Sequence, residues 1–202
     1  MNIKPILFST PMVQAILAGR KSMTRRVVKN NKTFALLSIV EKDADGIWFS
    51  TDNMTQYHIK LPYHTGDILW VRETWAEPYN PTTGFAYRAS CQLEADDLFK
   101  WHPSIFMPKE AARIWLEVTD VRCERLQEIT PHDAWLEGCR IGNSFPWEDH
   151  IPELQQQCRD ILFVALWNII NAKRGYEWDS NPWVWVISFD RCDKPTESEE
   201  QS

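Results

Sequence analysis

The apolar residues of this chain fall into many short alternating runs closed by turn residues, and only three stretches carry them at helical spacing. Runs over residues 3–8, 24–28, 34–40, 47–50, 57–61 and 67–71 read as strands, with Asp43-Ala44-Asp45-Gly46 as a hairpin turn. A short strand near 85–88, a long one over 112–126 and a closing one over 182–190 complete the set. Many short strands with three helices predict the α+β class, as a small mixed β-barrel with flanking helices.

The helices announce themselves by their ends. Ser9 or Thr10 caps the first, Pro11 stands at its first position and Gly19 past its end, with Met12, Val13, Ile16 and Leu17 on one face. Thr130 caps a short second helix, with Pro131 at its first position and Gly138 at its C-terminus. Ile151, Leu154, Cys158, Ile161, Leu162, Ala165 and Ile169 predict the longest helix. Residues 78–108, with Pro78, Pro81, Pro103, Pro108 and the turn Thr82-Thr83-Gly84, read as an insertion or a lid. Residues 194–202 form a polar, acidic tail expected to be disordered, and no period of 20 to 50 residues repeats.

With 202 residues and 44% apolar content, the chain can bury one sizeable core, so a single domain over residues 1–192 is expected. Nothing approaches an 18-residue apolar run and no leader sequence is evident, which makes a cytoplasmic protein without a membrane partner the expectation. Cys91, Cys123, Cys139, Cys158 and Cys192 are odd in number, widely spaced and free of any C-x-x-C. That fits reduced thiols rather than disulfides or zinc, and neither a metal nor another cofactor is expected. The H-x-E and P-C-x-x-C elements of zinc base deaminases are both missing.

Charge is unevenly distributed. Residues 1–40 hold seven Lys or Arg and no Asp or Glu, whereas the other 162 residues hold 15 basic and 28 acidic side chains, a balance of −13 within the overall −6. A local basic cluster on an acidic body grips one phosphate or nucleotide without coating a duplex. At its centre lies Gly19-Arg20-Lys21-Ser22-Met23-Thr24-Arg25-Arg26, a lysine and a hydroxyl three residues apart amid arginines, where a helix runs into a strand.

The segment Gly19-Arg20-Lys21-x-x-Thr24-x-Arg26, followed by Thr65-Gly66-Asp67-Ile68-Leu69, residues 116–138 and Val184-Trp185-Val186-Ile187-Ser188-Phe189, resembles the ASCH domain, a PUA-like fold. The resemblance covers about a third of the chain. It implies a PUA-like barrel with a helix beside a nucleoside-sized cleft. The small bacterial members are amidohydrolases that remove the acyl group from N4-acetylcytidine, and others bind or cut RNA. Their catalytic lysine, threonine and glutamate fall on Lys21, Thr24 and Glu137. This chain is about twice as long as those hydrolases, through insertions near 72–115 and 139–181, and Arg25 stands where an apolar strand residue is expected. Val71-Arg72-Glu73-Thr74-Trp75 and Asn181-Pro182-Trp183 look closest to ASCH-like proteins of phages and prophages.

Amide cleavage needs a nucleophile, a base, a proton donor for the departing nitrogen and a holder for the oxyanion. Thr24 is the candidate nucleophile. Lys21 serves as its base only when neutral, and a fall from roughly 10.4 to 7.5 corresponds to about 4 kcal/mol, which burial and the cations Arg25 and Arg26 would supply. A helix end at Gly19 and a carboxylate at Glu137 act in the opposite sense. In that case Lys21 is a charged oxyanion or phosphate clamp and Glu137 the base.

Arg26 and Arg25 are candidate ligand contacts. Arg72, Glu73 and Trp75 form a second constellation in which strand alternation sends Glu73 and Trp75 to one face. The same residues suit a buried tryptophan with a Glu–Arg pair at a barrel rim. Of the eleven tryptophans, Trp75, Trp101 and Trp183 adjoin loops and are the candidates for stacking on a base. The expected partners are a nucleoside, a modified base or a short single-stranded RNA, with a protein-binding accessory role as the third alternative.

Overall fold

In a computed structural model the residues described are 1–28, 39–42, 48–52, 55–77, 84–91, 99–140 and 156–196. The chain adopts the mixed α+β class. Its main sheet has five strands in the order β1-β6-β9-β10-β2, formed by β1 (Ile3–Leu7), β2 (Met23–Val27), β6 (Ile68–Arg72), β9 (Trp115–Arg125) and β10 (Trp183–Cys192). It does not close into a barrel among the described residues. The intervening strands β3 (Ile39–Lys42), β4 (Trp48–Asp52) and β5 (Thr55–His58) make an antiparallel three-stranded sheet. The turn expected at 43–46, the Thr82-Thr83 turn, the start of the long helix at 151–155 and the tail beyond 196 lie outside the described residues.

The chain gathers into two compact units. The first comprises residues 1–22, 65–119 and 189–202. Here β1 runs parallel to β6, Ile3 opposite Ile68 and Leu7 opposite Arg72, while β6 pairs antiparallel with β9, Trp70 opposite Trp115. Asp67 fixes that register: its Oδ1 accepts from the Asn2 amide (3.1 Å) and side chain (3.0 Å), and its Oδ2 meets Lys4 Nζ at 2.7 Å. The Thr65-Gly66-Asp67 motif is thus a fastening for β1. Gly66, at φ +82°, supplies the left-handed turn that an L-residue with a side chain resists.

Helix α1 (Thr10–Leu17) begins as expected, with Ser9 at the N-cap and Pro11 in its first turn, and buries Val13, Ala15 and Ile16. Burying Val13 and Ile16 contributes roughly 1.5–3 kcal/mol each. Gly19 at φ +66° ends it. The short strands β7 (Trp75–Ala76) and β8 (Ala86–Tyr87) pair beside three 3-10 turns, Arg88–Ser90, Ser104–Phe106 and Lys109–Ala111. Trp75, Met107 and Ala111 form a small separate core there.

The second unit comprises residues 23–64 and 120–188. β2 lies antiparallel to β10, with Thr24 opposite Ile187, Arg25 opposite Val186 and Arg26 opposite Trp185. Its core joins Met23, Leu126, Ile129, Ala134, Trp135, Phe163, Trp167, Val184 and Val186. Helix α2 (Pro131–Leu136) is closed at its start by a reciprocal box, Asp133 N–H to Thr130 Oγ1 at 3.0 Å and the Thr130 N–H to Asp133 Oδ2 at 3.4 Å. Gly138 at φ +91° follows its end. In place of one long regular helix, a π-helical segment (Cys158–Phe163) leads into α3 (Val164–Asn171). An extra residue per turn re-aims the apolar face, so that Phe163 and Trp167 are buried while Ile161 and Ile169 are exposed.

Candidate functional site

The polar residues of the lysine–threonine motif are buried individually: Lys21 is 3% exposed, Thr24 2% and Arg25 5%. Three such groups within five positions carry a desolvation cost that ordinary surface strands avoid. In the first unit the Lys21 ammonium lies 5.7 Å from the centroid of the Phe8 ring, which in turn packs 6.0 Å from Phe189. An aromatic face partly replaces the water that the ammonium has lost.

In the second unit alternation along β2 sends Met23, Arg25 and Val27 to the face that carries Val184 and Val186, and Thr24 and Arg26 to the other. Arg25 therefore points into an apolar core, and three carboxylates meet it there. Its Nη2 bonds Glu124 Oε1 at 2.7 Å and Asp133 Oδ2 at 2.9 Å, Nε reaches Glu124 at 3.1 Å, and Nη1 lies 3.4 Å from Glu137 Oε1. The guanidinium also sits 5.8 Å from the Phe163 ring centroid. Arg122 joins from β9, to Glu124 and to Asp133 at 3.1 Å each. Burial works against the Asp133 carboxylate, but Arg25, Arg122 and the Thr130 N–H together hold its pKa below the usual range.

The structure thus brings Arg25 and Glu137 together, and places Thr24 on the opposite face of β2 from Arg25. The apolar residue expected at position 25 is replaced by a cation that the neighbouring carboxylates neutralise. Arg26, half-buried, shares the face of Thr24. Burial lowers the pKa of its guanidinium, which Tyr63 and Glu137 oppose and Arg174 reinforces. Arginine nonetheless remains cationic at neutral pH. Burial in turn raises the Tyr63 phenol, and Arg26 pulls it back. Tyr63, Glu124, Arg122 and Asp133 were not legible as site residues: only the Thr130-x-x-Asp133 box had a signal, and it spoke for a helix start.

The second constellation is a salt bridge under an aromatic cover in the first unit. Glu73, 1% exposed, takes Arg113 on both oxygens. Arg113 stacks on Tyr87, 4.0 Å from the ring centroid, and donates to Ser90 Oγ at 2.8 Å. Trp75 is buried against Phe85 and His102, with ring centroids at 5.6 and 5.1 Å, and its indole N–H has no hydrogen-bond partner among the described residues. Arg72 turns outward over the Trp70 ring and donates to the carbonyls of Ile105 and Met107. Of the other loop tryptophans, Trp101 packs on Phe99 at 5.3 Å and Trp183 lies beneath Arg125 at 4.4 Å.

Among the described residues no group of three His, Cys, Asp or Glu side chains is arranged to hold a metal ion, and no helix is long and apolar enough to cross a membrane.

No family model matches the chain, and no curated protein matches it. Among solved structures it is similar to the ASCH domain from Lactobacillus crispatus JV V101, at 10% identity over 94% of this chain and 79% of that one, with a TM-score of 0.41. It is also similar to a protein of Enterococcus faecalis V583 described under family DUF984, at 13% identity over 99% of this chain and 81% of that one, with a TM-score of 0.40.

Proposed function

We propose that this protein is a hydrolase that removes the acyl group from the N4 amide of a modified cytidine-type nucleoside. The observation that carries the reading is the burial of Lys21 and Thr24, two polar side chains three residues apart in the segment that resembles the ASCH amidohydrolases. In this scheme Thr24 Oγ1 attacks the acyl carbonyl carbon and gives its proton to neutral Lys21. The C–N bond then breaks, N4 takes the proton back, and water releases the acyl group from Thr24 as a carboxylic acid. Arg26 steadies the oxyanion or a phosphate. Glu137, held by Arg25, accepts a hydrogen bond from the exocyclic nitrogen.

A second reading, a binding module for RNA or modified bases without hydrolysis, is favoured by one observation. The Lys21 Nζ lies over the Phe8 ring, 5.7 Å from its centroid, a contact that favours the charged ammonium over the neutral base that hydrolysis needs.

Chromatography of N4-acetylcytidine incubated with the protein and with Lys21→Ala tests the choice. Deacylation that disappears in the variant supports the hydrolase. Calorimetric binding of the nucleoside without turnover supports the module, and neither signal overturns a free-nucleoside site and leaves RNA as the ligand to test.

A further inference from the structure

The Lys21 ammonium lies 5.7 Å from the centroid of the Phe8 ring, and Phe189 packs on that ring at 6.0 Å, all three residues being buried. Backbone bonds fix each member of the stack. The Phe8 N–H donates to Arg72 O at 3.1 Å, the Lys21 N–H to Ala15 O at 3.2 Å, and the Phe189 N–H to Ser22 O at 2.9 Å. The Phe8 ring is therefore tied to the end of β6, Lys21 to α1, and Phe189 to the residue that follows Lys21. A buried ammonium set against a ring that the surrounding backbone holds in place has little freedom to turn away from it.

We infer that Phe8 is a positioning residue for Lys21: its ring face orients the ammonium and resists its deprotonation. The negative face of the ring attracts the cation and offers the neutral amine nothing comparable. That attraction is strongest where water is excluded, as it is from Lys21. Of the charged groups on the adjoining elements, Glu73 is taken by Arg113, Lys4 by Asp67 and Arg72 by backbone carbonyls. Arg88, Asp190 and Arg191 are exposed. Arg20, the preceding residue, is half-buried, and its like charge acts in the opposite sense to Phe8. The inference rests on the hydrolase reading above only for its kinetic consequence: Phe8 then sets the pH range in which Lys21 works.

Carbon NMR of the full chain labelled at lysine Cε, with Lys21 assigned through Lys21→Arg, follows its titration directly. Phe8→Leu is expected to lower the Lys21 midpoint by roughly 0.4 to 1.5 pH units, and Phe8→Tyr, which keeps a ring face, to return it near the parent value. Phe189→Leu takes a ring from the same core but not the one that faces the ammonium. It should lower the melting temperature and leave the midpoint where it is. In the parent protein the Lys21 ε-protons should resonate upfield of those of exposed lysines, because they lie over a ring face. A midpoint that stays put in Phe8→Leu, or moves equally in Phe189→Leu, overturns the inference. If Phe8→Leu does not fold, a parent Lys21 signal without the upfield shift overturns it. Where the parent deacylates N4-acetylcytidine and Lys21 is the base, the rising limb of kcat against pH should move down with the NMR midpoint in Phe8→Leu. A shifted NMR midpoint in a protein without turnover counts against the hydrolase reading alone.

Discussion

Arg113 grips Glu73 through two parallel bonds, Nε to Oε1 and Nη2 to Oε2, each 2.9 Å long. Glu73 is almost wholly buried while Arg113 keeps about a quarter of its side chain in solvent, so the carboxylate is the partner that cannot do without the other. Arg113→Met should therefore cost about 3–5 kcal/mol, the usual penalty for a stranded buried charge, whereas adding Glu73→Met should recover most of it. Urea unfolding of the two single variants and the double variant measures this. A double variant no more stable than Arg113→Met would show that packing, not the unpaired charge, sets the cost.

That pair also marks the limit of what the sequence discloses. Helices α1 and α2 were legible because Ser9, Pro11 and Gly19, and Thr130, Pro131 and Gly138, act on backbone groups within a few residues of themselves. The arginine partners are not local. Glu73 and Arg113 lie 40 positions apart, and Arg25 reaches Glu124, Asp133 and Glu137 across 99, 108 and 112. Alternation places Arg25 on a core face, but only the pairing of β2 with β10 and the docking of α2 determine which carboxylates meet it. The π-helical segment at Cys158–Phe163 was hidden likewise, because a heptad-like spacing reads the same until one turn gains a residue.

Asp133 predicts how the second unit responds to acid. Its folded pKa lies below the unfolded value, so the stability it contributes is present above the unfolded pKa, near 4, and is lost as pH falls through the folded one. Asp133→Asn should leave the protein less stable at pH 7 and flatten the fall in stability below about pH 4. Melting temperatures across pH 2 to 7 compare the slopes, and parallel curves would remove Asp133 from the acid response.

Cys123 should be a poor nucleophile. Burial first, then the carboxylates of Glu124 and Glu128, push its thiol up to about 12 against the pull of Arg125. Only about one thiol in 10,000 is then ionised at pH 8, and thiolate is the reactive species. Mass-mapped alkylation of the native protein at pH 8 should label Cys123 far more slowly than the same peptide after unfolding. Equal rates would mean that the site opens readily to solvent.

Gly19 bears on the motif it opens. At φ +66° it needs the left-handed region, yet a methyl group there would meet nothing within 4 Å. Gly19→Ala should thus cost about 1–2 kcal/mol through backbone strain alone, with no clash to add to it. A loss well beyond that, read by denaturant titration, would mean that the turn into Lys21 is coupled to the buried ammonium.

Within the hydrolase reading, Glu137 separates the two acid–base schemes more sharply than the loss of activity on any single substitution. If Glu137 is the base for Thr24, Glu137→Gln should lower kcat about as much as Thr24→Val, by roughly 100-fold or more, since general-base assistance is worth 100- to 10,000-fold. If Glu137 only accepts the exocyclic amine and Lys21 moves the proton, Glu137→Gln should chiefly raise KM for the acylated nucleoside, while Thr24→Val abolishes turnover. Arg25 holds Glu137 from the face of β2 opposite Thr24, while Glu137 also acts on Arg26, which shares the face of Thr24, so the kinetic split decides between the two roles. Removing Arg25 would also leave Glu124 and Asp133 to Arg122 alone, so Arg25→Lys is the informative companion. Keeping the charge but losing the fork, it should disturb stability and KM together and leave the pH at which kcat is half-maximal near its parent value. A shift in that midpoint would place the proton transfer on Glu137 instead.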